Sequence, residues 1–288
     1  TLNRFDGPLG VGWTSSLLAR AHLATYLLSA PSTTQSEANI TMPDGARYRF
    51  KQNSNGSFTP HIGRHDTLVR NADGSFDLTL QRSRTVYHFN ADSSIGSMTD
   101  EFGNRTDYLY DSIGWLTRVA DAAGSGRYFD VFWGADGRLS AVVDHTGRAV
   151  EYLYDSSGRL VEVTDPLGRR TSYYYTPGKY VPLLSQIRDN WGRVITTITY
   201  DSADRTKTYT DRGETWTYTY AYQGDVSKTA KADSVGNTYV FTYDGDGLVT
   251  SELLPGGATR STTYYADGSI QQETSELGVK TFYTYDSE

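Results

Sequence analysis

Cysteine is absent from the sequence, so neither a disulfide framework nor a thiolate ligand or nucleophile is available to this chain. Long apolar runs are also absent, and no stretch approaches the ~18 residues that a membrane-spanning helix needs. Basic residues form no run, and the net charge is −7, which argues against nucleic acid and anionic membranes as partners. We therefore expect no nucleic-acid partner and no membrane span.

Hydrophobic residues make up only 37% of the chain, and that figure includes 23 tyrosines. Such a composition leaves little material for a thick, two-sided core. The aromatic content of 13% nevertheless argues against disorder, because each ring can bury about 150–250 Å². We expect a chain that folds, but into a thin structure. Because no signal-like segment begins at Thr1 and the sequence pattern runs on to Glu288, we also expect a piece of a longer protein.

What the sequence does contain is one phrase repeated over most of its length. The phrase is clearest in residues 151–170, EYLYDSSGRLVEVTDPLGRR, where Tyr-Asp-x-x-Gly-Arg-Leu is followed by Asp-Pro-x-Gly. A phrase restated about every 21 residues is typical of architecture and not of a catalytic motif. The aromatic residues that end each copy of the phrase are Phe89, Tyr110, Trp133, Tyr154, Tyr175, Tyr200, Tyr222, Tyr243, Tyr265 and Tyr285.

Each unit has the pattern of two strands and two tight turns. Asp at the first and Gly at the fourth position favour a type I turn, with Pro welcome at the second. The stretches between turns are rich in Tyr, Val, Thr and Leu, and in TWTYTYAY, residues 215–222, the aromatic residues share one face. Short turns between successive strands force antiparallel neighbours, so we predict a long meander. Turns are predicted at residues 100–103, 111–114, 121–124, 144–147, 155–158, 165–168, 189–192, 233–236 and 244–247.

Residues 1–88 lack this repeat and are predicted to form a β-rich N-terminal module, followed by tandem repeats over residues 89–288. The module opens with GPLGVGW at residues 7–13. It continues into a Leu/Ala stretch, residues 17–28, which fits either an amphipathic helix or a strand. A Ser/Thr-rich loop is expected at residues 29–36, and hairpin signals follow at residues 43–45 and 73–74.

The repeat resembles the YD repeat of the Rhs family, which includes bacterial Rhs polymorphic toxins, the C components of Tc toxins, wall-associated repeat proteins and animal teneurins. The opening GPLGVGW, the Pro-Asp-Gly hairpin and DEFGNR at residues 100–105 resemble the region that begins the repeat array in bacterial Rhs proteins. We assign a structural repeat motif to Tyr110, Asp111, Gly114, Tyr154, Asp155, Gly158, Arg159, Leu160, Asp165, Gly168, Tyr243, Asp244 and Gly247.

The resemblance implies an all-β fold in which tandem antiparallel hairpins form a curved, shell-like sheet around a C-terminal toxin or other cargo. It implies two partners in the same polypeptide, the remainder of the shell and the toxin domain, and a secreted or cell-surface location in bacteria. Neither the family's self-cleavage region nor a toxin sequence is found. Residues 165–168 spell the Asp-Pro-x-Gly signature of that region, but they occupy an ordinary repeat position and are interpreted as a turn.

Signals for chemistry are weak. His61 and His65 have the spacing of zinc ligands on a helix, but a proline and a glycine nearby disfavour a helix and no third ligand is evident. Residues 244–247, Asp-Gly-Asp-Gly, resemble the start of a calcium loop, yet Leu248 occupies the fifth position. No Gly-x-Ser-x-Gly nucleophile elbow occurs. We assign no catalytic, cofactor-binding or metal-binding residue and expect a protein that is not an enzyme.

Two alternatives stay open. Exposed Tyr and Trp rings can stack on sugars, so a carbohydrate- or cell-surface-binding module, with a glycan or protein as its partner, is the main alternative function. Cross-strand packing, at roughly 0.2–1 kcal/mol per pair, explains every Tyr, whereas sugar stacking explains a few. Two units also have the size of a propeller blade, although adjacent units look alike instead of alternating.

Overall fold

The fold consists of β-strands joined by turns. The computed structural model describes residues 6–13, 15, 17, 19–27, 34–42, 44–178, 182–223 and 226–285. These residues contain no helix, and therefore none that could cross a membrane. The predicted all-β fold class of tandem antiparallel hairpins is confirmed. In chain order, β1 to β27 are Asp6–Gly7, Gly10–Val11, Arg20–Leu27, Thr34–Thr41, Arg47–Gln52, Phe58–Pro60, Thr67–Arg70, Phe76–Thr79, Val86–Phe89, Ile95–Thr99, Arg105–Tyr110, Leu116–Asp121, Tyr128–Trp133, Leu139–Asp144, Ala149–Tyr154, Leu160–Thr164, Arg170–Tyr175, Leu184–Arg188, Val194–Tyr200, Thr206–Asp211, Glu214–Gln223, Val226–Ala232, Thr238–Tyr243, Val249–Leu253, Thr259–Tyr264, Ile270–Thr274 and Lys280–Phe282.

The strands are distributed over two compact units. The N-terminal unit comprises Asn3–His61 and His65–Thr171. The C-terminal unit comprises Ser172–Glu288, together with Thr1–Leu2 and Ile62–Arg64. The boundary near residue 88 that separates the non-repeat module from the repeats in the sequence falls inside the N-terminal unit, and it stays a prediction.

The N-terminal unit contains three antiparallel sheets. Strands β1 and β2 pair as a short ribbon, and β3 to β6 form a four-stranded sheet in sequence order. Strands β7 to β16 follow one another as a meander in which each strand pairs with the next. The predicted meander therefore begins at β7, before the first aromatic marker of the repeat.

Within the Leu/Ala stretch that fitted either a helix or a strand, residues 20–27 form a strand, β3, and residues 18 and 28 lie outside the described residues. Ala21 is buried and His22 exposed, which is the two-residue period of a half-buried strand. Pairing with β4 along all eight residues fixes this choice, since an isolated helix of this length is marginal. Of the loop expected at residues 29–36, residues 34–36 belong to β4 and the others lie outside the described residues.

A hydrophobic core lies in the N-terminal unit, between residues of the β3–β6 sheet and residues of the meander. One cluster contains fully buried residues of both, namely Ile40 and Phe50 of the β3–β6 sheet and Leu78, Phe89 and Ile95 of the meander. This two-layer packing departs from the expected thin structure. It arises because the non-repeat strands, which the repeat pattern does not describe, supply the second layer.

The C-terminal unit is a meander of β17 to β27 in which successive strands pair antiparallel. Leu183 is the one hydrophobic side chain among its described residues that is fully buried. In β21, Trp216, Tyr218 and Tyr220 are half-buried, whereas Tyr222, on the same predicted face, is exposed. The opposite face is exposed at Thr217, Thr219 and Ala221. This unit therefore buries few hydrophobic side chains, as the composition indicates.

Candidate functional site: the Tyr-Asp hairpins

The repeat phrase Tyr-Asp-x-x-Gly-Arg-Leu forms a hairpin with a three-residue loop. The Gly158 N–H donates to the Asp155 carbonyl at 2.9 Å, and the Asp155 N–H donates to the Arg159 carbonyl at 3.0 Å. Gly158 has a φ of 75°, in the left-handed region that glycine enters without strain. The predicted four-residue turn is therefore part of a loop that closes one residue later, at the arginine, as in hairpins that combine a turn with a left-handed residue.

The aspartate of the phrase satisfies the loop backbone with its side chain. Asp155 Oδ1 accepts hydrogen bonds from the Ser157 N–H at 2.9 Å and the Arg159 N–H at 3.0 Å. Its Oδ2 accepts from Arg159 Nε at 2.6 Å. Burial disfavours the ionised carboxylate, but the bonds from Arg159 and the loop backbone outweigh it and hold the pKa of Asp155 below its ordinary value. We call this arrangement the Asp-Arg lock.

The Asp-Arg lock recurs in other loops that end in arginine. Asp165 and Arg169 reproduce it, with Arg169 Nε 2.6 Å from Asp165 Oδ2 and the Gly168 N–H bonded to the Asp165 carbonyl. Hydrogen bonds from Thr146 and Arg148 lower the pKa of Asp144 in the same way. Further locks are formed by the pairs Asp189 and Arg193, and Asp201 and Arg205.

Two of the predicted motif aspartates lie in loops whose fifth residue is not arginine. Asp111 Oδ1 accepts from the backbone of Ile113 and Trp115, and Asp244 Oδ1 accepts from the backbone of Asp246 and Leu248. Gly114 and Gly247 have φ values of 87° and 84° and donate to the carbonyls of their aspartates. These loops therefore keep the backbone bonds without an arginine at the fifth position.

One predicted turn differs from this pattern. At residues 121–124 the chain makes a wider loop, in which the Asp121 N–H donates to the Arg127 carbonyl at 3.1 Å. Gly124 and Gly126 both have positive φ, and the two glycines allow the longer path. At the hairpin signal of residues 43–45, Pro43 lies outside the described residues, and the Gly45 N–H donates to the Met42 carbonyl at 2.9 Å.

Each Tyr-Asp hairpin carries a β-bulge directly after its loop. Tyr154 pairs with Leu160, but Leu153 pairs with Glu162, so one residue of β16 is left over. A bulge bends the strand that contains it and increases its local twist. Shifts at the same place occur after the loops that follow Phe89, Tyr110, Trp133, Tyr175, Tyr200, Tyr243 and Tyr264.

The repeat aromatic residue donates a hydrogen bond to the preceding Tyr-Asp hairpin. The Tyr154 hydroxyl donates to the Leu139 carbonyl at 2.8 Å, and the Tyr110 hydroxyl donates to the Ile95 carbonyl at 2.8 Å. Where the repeat has tryptophan, Trp133 Nε1 donates to the Leu116 carbonyl at 2.8 Å. In every case the acceptor is the first residue after a loop. Equivalent bonds run from Tyr200 to Leu184, from Tyr220 to Thr206 and from Tyr264 to Val249.

These bonds explain why the position requires a donor and not merely a ring. Tyr110 is half-buried, and this burial raises the pKa of its hydroxyl to about 12, so the hydroxyl keeps its proton and can donate. Burial likewise raises the pKa of Tyr200. The acceptors in the N-terminal unit lie on buried residues, since Ile95, Leu116 and Leu139 are at most 1% exposed. A carbonyl at such a place needs a partner, because an unpaired buried polar group is costly.

The donors do not all coincide with the aromatic residues that mark the period in the sequence. Tyr220, not Tyr222, donates in the unit that contains β21, and Tyr222 is 70% exposed. Tyr264, not Tyr265, donates from the end of β25. Tyr243 ends β23 and pairs with Val249 across its loop.

Aromatic rings of the C-terminal unit pack against cations of neighbouring strands. The Lys231 Nζ lies 5.0 Å from the Trp216 ring, 5.1 Å from the Tyr239 ring and 5.4 Å from the Phe241 ring. The Arg205 guanidinium lies 4.5 Å from the Tyr220 ring. Such contacts stabilise the sheet, at roughly 0.5–2 kcal/mol each depending on exposure.

The described residues contain no cluster of metal-binding groups. Within the part of the chain that the structure covers, no three His, Asp or Glu side chains are placed to hold a metal ion. A groove of about 490 Å³ in the C-terminal unit is lined by Arg260, Glu273 and Glu276 among others. Arg260 Nε binds Glu276 at 2.7 Å, and the Tyr283 hydroxyl donates to Glu273 at 2.5 Å.

A comparison with protein families identifies the repeat. The family model described as RHS Repeat matches residues 135–170 and 154–178. Residues 135–178 therefore match the Rhs repeat. The match confirms the resemblance that the sequence indicates, and it contains three complete Asp-Arg locks, at Asp144, Asp155 and Asp165. No curated protein sequence matches the chain.

Several solved structures are similar to the chain that contains these Rhs repeats. The crystal structure of TcdB2-TccC3-TEV shares 12% identity at a TM-score of 0.42, over 93% of this chain and 17% of that chain. The Tc holotoxin pore of Photorhabdus luminescens with the TccC3 mutation D651A shares 13% identity at a TM-score of 0.43, over 93% of this chain and 19% of that one. The chain thus spans about a fifth of the length of these structures.

The turn residues of the repeat could be identified from the sequence, but two contacts were missed. Sequence reasoning gave Arg159 no contact, although every Asp-Arg lock depends on an arginine four residues after the aspartate. It assigned tyrosine to strand packing and overlooked its hydroxyl. A signal for the hydroxyl was available, since the position contains Tyr in most units and Trp in one, and both residue types are hydrogen-bond donors.

Proposed function

We propose that this chain is a wall segment of an Rhs-type β-shell that holds and shields a C-terminal toxin or other cargo of the same polypeptide. Because the chain spans about a fifth of the structures it resembles, the complete shell and the cargo belong to the proposal. A bacterial, secreted or cell-surface location belongs to it as well.

The observation that carries the proposal is the bond from an aromatic side chain to the preceding hairpin, which recurs in six repeat units. The Tyr110, Trp133 and Tyr154 side chains each donate to a backbone carbonyl one hairpin back. Such a bond ties a unit to the one before it. A sheet that grows in this way can extend over a large area, which is what a wall requires.

A non-enzymatic role is part of the proposal. The repeat residues of the Tyr-Asp hairpins serve the loop and the neighbouring strand, and the polar residues that recur most often are engaged with each other. The Asp155 carboxylate, for example, is occupied by Arg159 and by two backbone N–H groups. A group committed in this way is a poor general base, because ionic partners lower its pKa.

The alternative of a carbohydrate-binding module is less well supported. Rings in the aromatic stretch of the C-terminal unit contact Lys231 and Arg205, so part of their faces is already covered. The exposed ring of Trp191 lies in a loop, and the Arg193 guanidinium lies 4.6 Å from it.

Protease protection tests the proposal. The natural polypeptide that contains residues 1–288 and the sequence that follows them is treated with a nonspecific protease, and fragments are identified by mass spectrometry. The proposal predicts that the C-terminal region resists digestion in the intact protein and is digested when it is produced alone. Equal digestion rates in both forms would refute a shielding role, and saturable binding of the chain to a glycan array would favour the alternative.

A further inference from the structure

One loop of the N-terminal unit contains an asparagine that is followed directly by glycine. Residues 53–57, Asn-Ser-Asn-Gly-Ser, join β5 to β6, and they contain the one Asn-Gly step of the sequence. The Asn53 N–H donates to the Ser57 carbonyl at 2.8 Å, and the Gly56 N–H donates to the Asn53 carbonyl at 2.9 Å. The loop therefore closes in the same way as the Tyr-Asp hairpins. We call residues 53–57 the Asn-Gly loop.

The Asn-Gly loop has a counterpart in the same unit that contains aspartate. Asn55 Oδ1 accepts from the Ser57 N–H at 3.0 Å and from the Ser57 hydroxyl at 2.7 Å. In residues 71–75, Asn-Ala-Asp-Gly-Ser, Asp73 Oδ1 accepts the same two bonds from Ser75, at 3.0 and 2.7 Å. The bonds from Ser75 lower the pKa of Asp73, so a loop of this kind stabilises a carboxylate at its third residue.

An Asn-Gly step can convert its asparagine without an enzyme, with water as the only co-reactant. The Gly56 nitrogen, after losing its proton, forms a bond to Cγ of Asn55, and Nδ2 leaves as ammonia with a proton taken from water. The product is a cyclic imide. Water then adds to one of its two carbonyl carbons and breaks the bond from that carbon to nitrogen. Opening at Cγ gives aspartate, and opening at the backbone carbonyl carbon gives isoaspartate, in which the main chain runs through the former side chain.

Three features of the Asn-Gly loop favour this reaction. Asn55 and Gly56 are exposed, so water reaches them for proton transfer and for hydrolysis. Ser57 donates two bonds to Oδ1, the atom on which negative charge develops when nitrogen attacks Cγ, and donors placed in this way lower such a barrier. The Gly56 N–H must first leave the Asn53 carbonyl, and an exposed loop opens locally at a low free energy.

From this geometry we propose that Asn55 is a modification site, at which the folded chain converts asparagine to aspartate and isoaspartate. The aspartate product fits the Asn-Gly loop, because the same contacts already hold a carboxylate at Asp73. The isoaspartate product does not fit, since it lengthens the backbone of a short loop directly beside the pair Gln52 and Phe58. The conversion therefore adds a negative charge and, in the isoaspartate form, loosens the β5–β6 hairpin.

The experiment incubates the full-length chain at neutral and at mildly alkaline pH and follows every asparagine by peptide mapping with mass spectrometry. The control is Gly56→Ala, because Gly56 has a φ of 85° and a Cβ there meets nothing within 4 Å. We expect Asn55 to lose its amide at least about tenfold faster than any other asparagine, and about tenfold more slowly in G56A, since a Cβ beside the attacking nitrogen restricts its approach. The loss should be faster at the higher pH, because the nitrogen attacks without its proton.

Two outcomes of the peptide mapping would overturn the proposal. The first is loss of the Asn55 amide at the rate of the other asparagines. The second is equal loss in the wild type and in G56A, since the glycine would then play no part. Ammonia release gives a second readout that does not depend on G56A: the fast release expected from the wild type must be absent from Asn55→Asp, which has no amide at this position.

The variant N55D also tests how the loop accepts each product. Amides of β5 and β6 in N55D should exchange hydrogen within about threefold of the wild-type rates, because the carboxylate keeps the bonds from Ser57. The isoaspartate fraction of the incubated chain, separated by chromatography with N55D as the reference, should exchange at least about tenfold faster in the same strands. An N55D chain that exchanges as fast as the isoaspartate fraction would contradict the fit of aspartate to the loop.

Discussion

Replacing Tyr154 with Phe removes one hydroxyl and leaves the ring in place. The hydroxyl donates to the Leu139 carbonyl at 2.8 Å, and Leu139 is 1% exposed. Water therefore has little access to the carbonyl that loses its donor. An unpaired buried acceptor costs about 1–3 kcal/mol, more than the ~1 kcal/mol net value of a typical hydrogen bond. We expect Y154F to lower the free energy of unfolding of the N-terminal unit by about 1–3 kcal/mol.

Native-state hydrogen exchange measures this change within the N-terminal unit. Amides of β13 to β16 should exchange about 5- to 150-fold faster in Y154F, since each 1.4 kcal/mol corresponds to about a factor of ten. Tyr200→Phe repeats the test in the C-terminal unit, where the hydroxyl donates to the Leu184 carbonyl at 2.6 Å.

The control for Y154F is Tyr174→Phe. Tyr174 is 44% exposed, so water can take over any hydrogen bond that its hydroxyl makes. A change within about 0.5 kcal/mol is expected for this exposed position. If Y154F and Y174F gave the same exchange rates, the hydroxyl would not support the repeat and the reasoning would fail.

Three further predictions concern the loops and the cations. Gly158→Ala should lower the free energy of unfolding by more than Gly147→Ala: both lose a left-handed glycine, at about 1–2 kcal/mol, but a Cβ on Gly158 also overlaps a guanidinium, whereas one on Gly147 meets nothing. Urea titrations that give equal losses would contradict this. Asp155 has a lowered pKa in the fold, so its stabilisation is complete above the unfolded value of about 3.9 and is lost as pH falls through the folded value; the stability gap between wild type and D155N should shrink below about pH 4, and a gap independent of pH would refute the lock. Lys231→Met should destabilise the sheet by about 0.5–2 kcal/mol, against little change for the exposed Lys228→Met, as measured by thermal unfolding.

The turns and strands of the repeats could be predicted because their causes are local. At every predicted turn except residues 121–124, Asp at the first and Gly at the fourth position give a loop that closes within five residues. Alternation in β21 indicates the more buried face without reference to other strands. Such short-range patterns are visible in a single sequence.

The remaining features depend on contacts between distant residues. The Tyr154 hydroxyl contacts the Leu139 carbonyl, 15 residues earlier, and the Pro8 carbonyl, 146 residues earlier. No spacing in the sequence predicts either contact. The β-bulge after Leu160 also could not be predicted from the sequence, since the extra residue is an ordinary strand former. The two-layer core was missed because the second layer comes from β3 to β6, which carry no repeat.

Electron cryo-microscopy of the natural polypeptide that contains residues 1–288 tests most directly whether the Tyr-Asp hairpins form an enclosing wall. The account predicts density for another segment of the polypeptide on the inner side of the hairpin sheet, with the sheet continuing around it. A map in which the rest of the polypeptide lies outside the hairpin sheet would contradict an enclosing role.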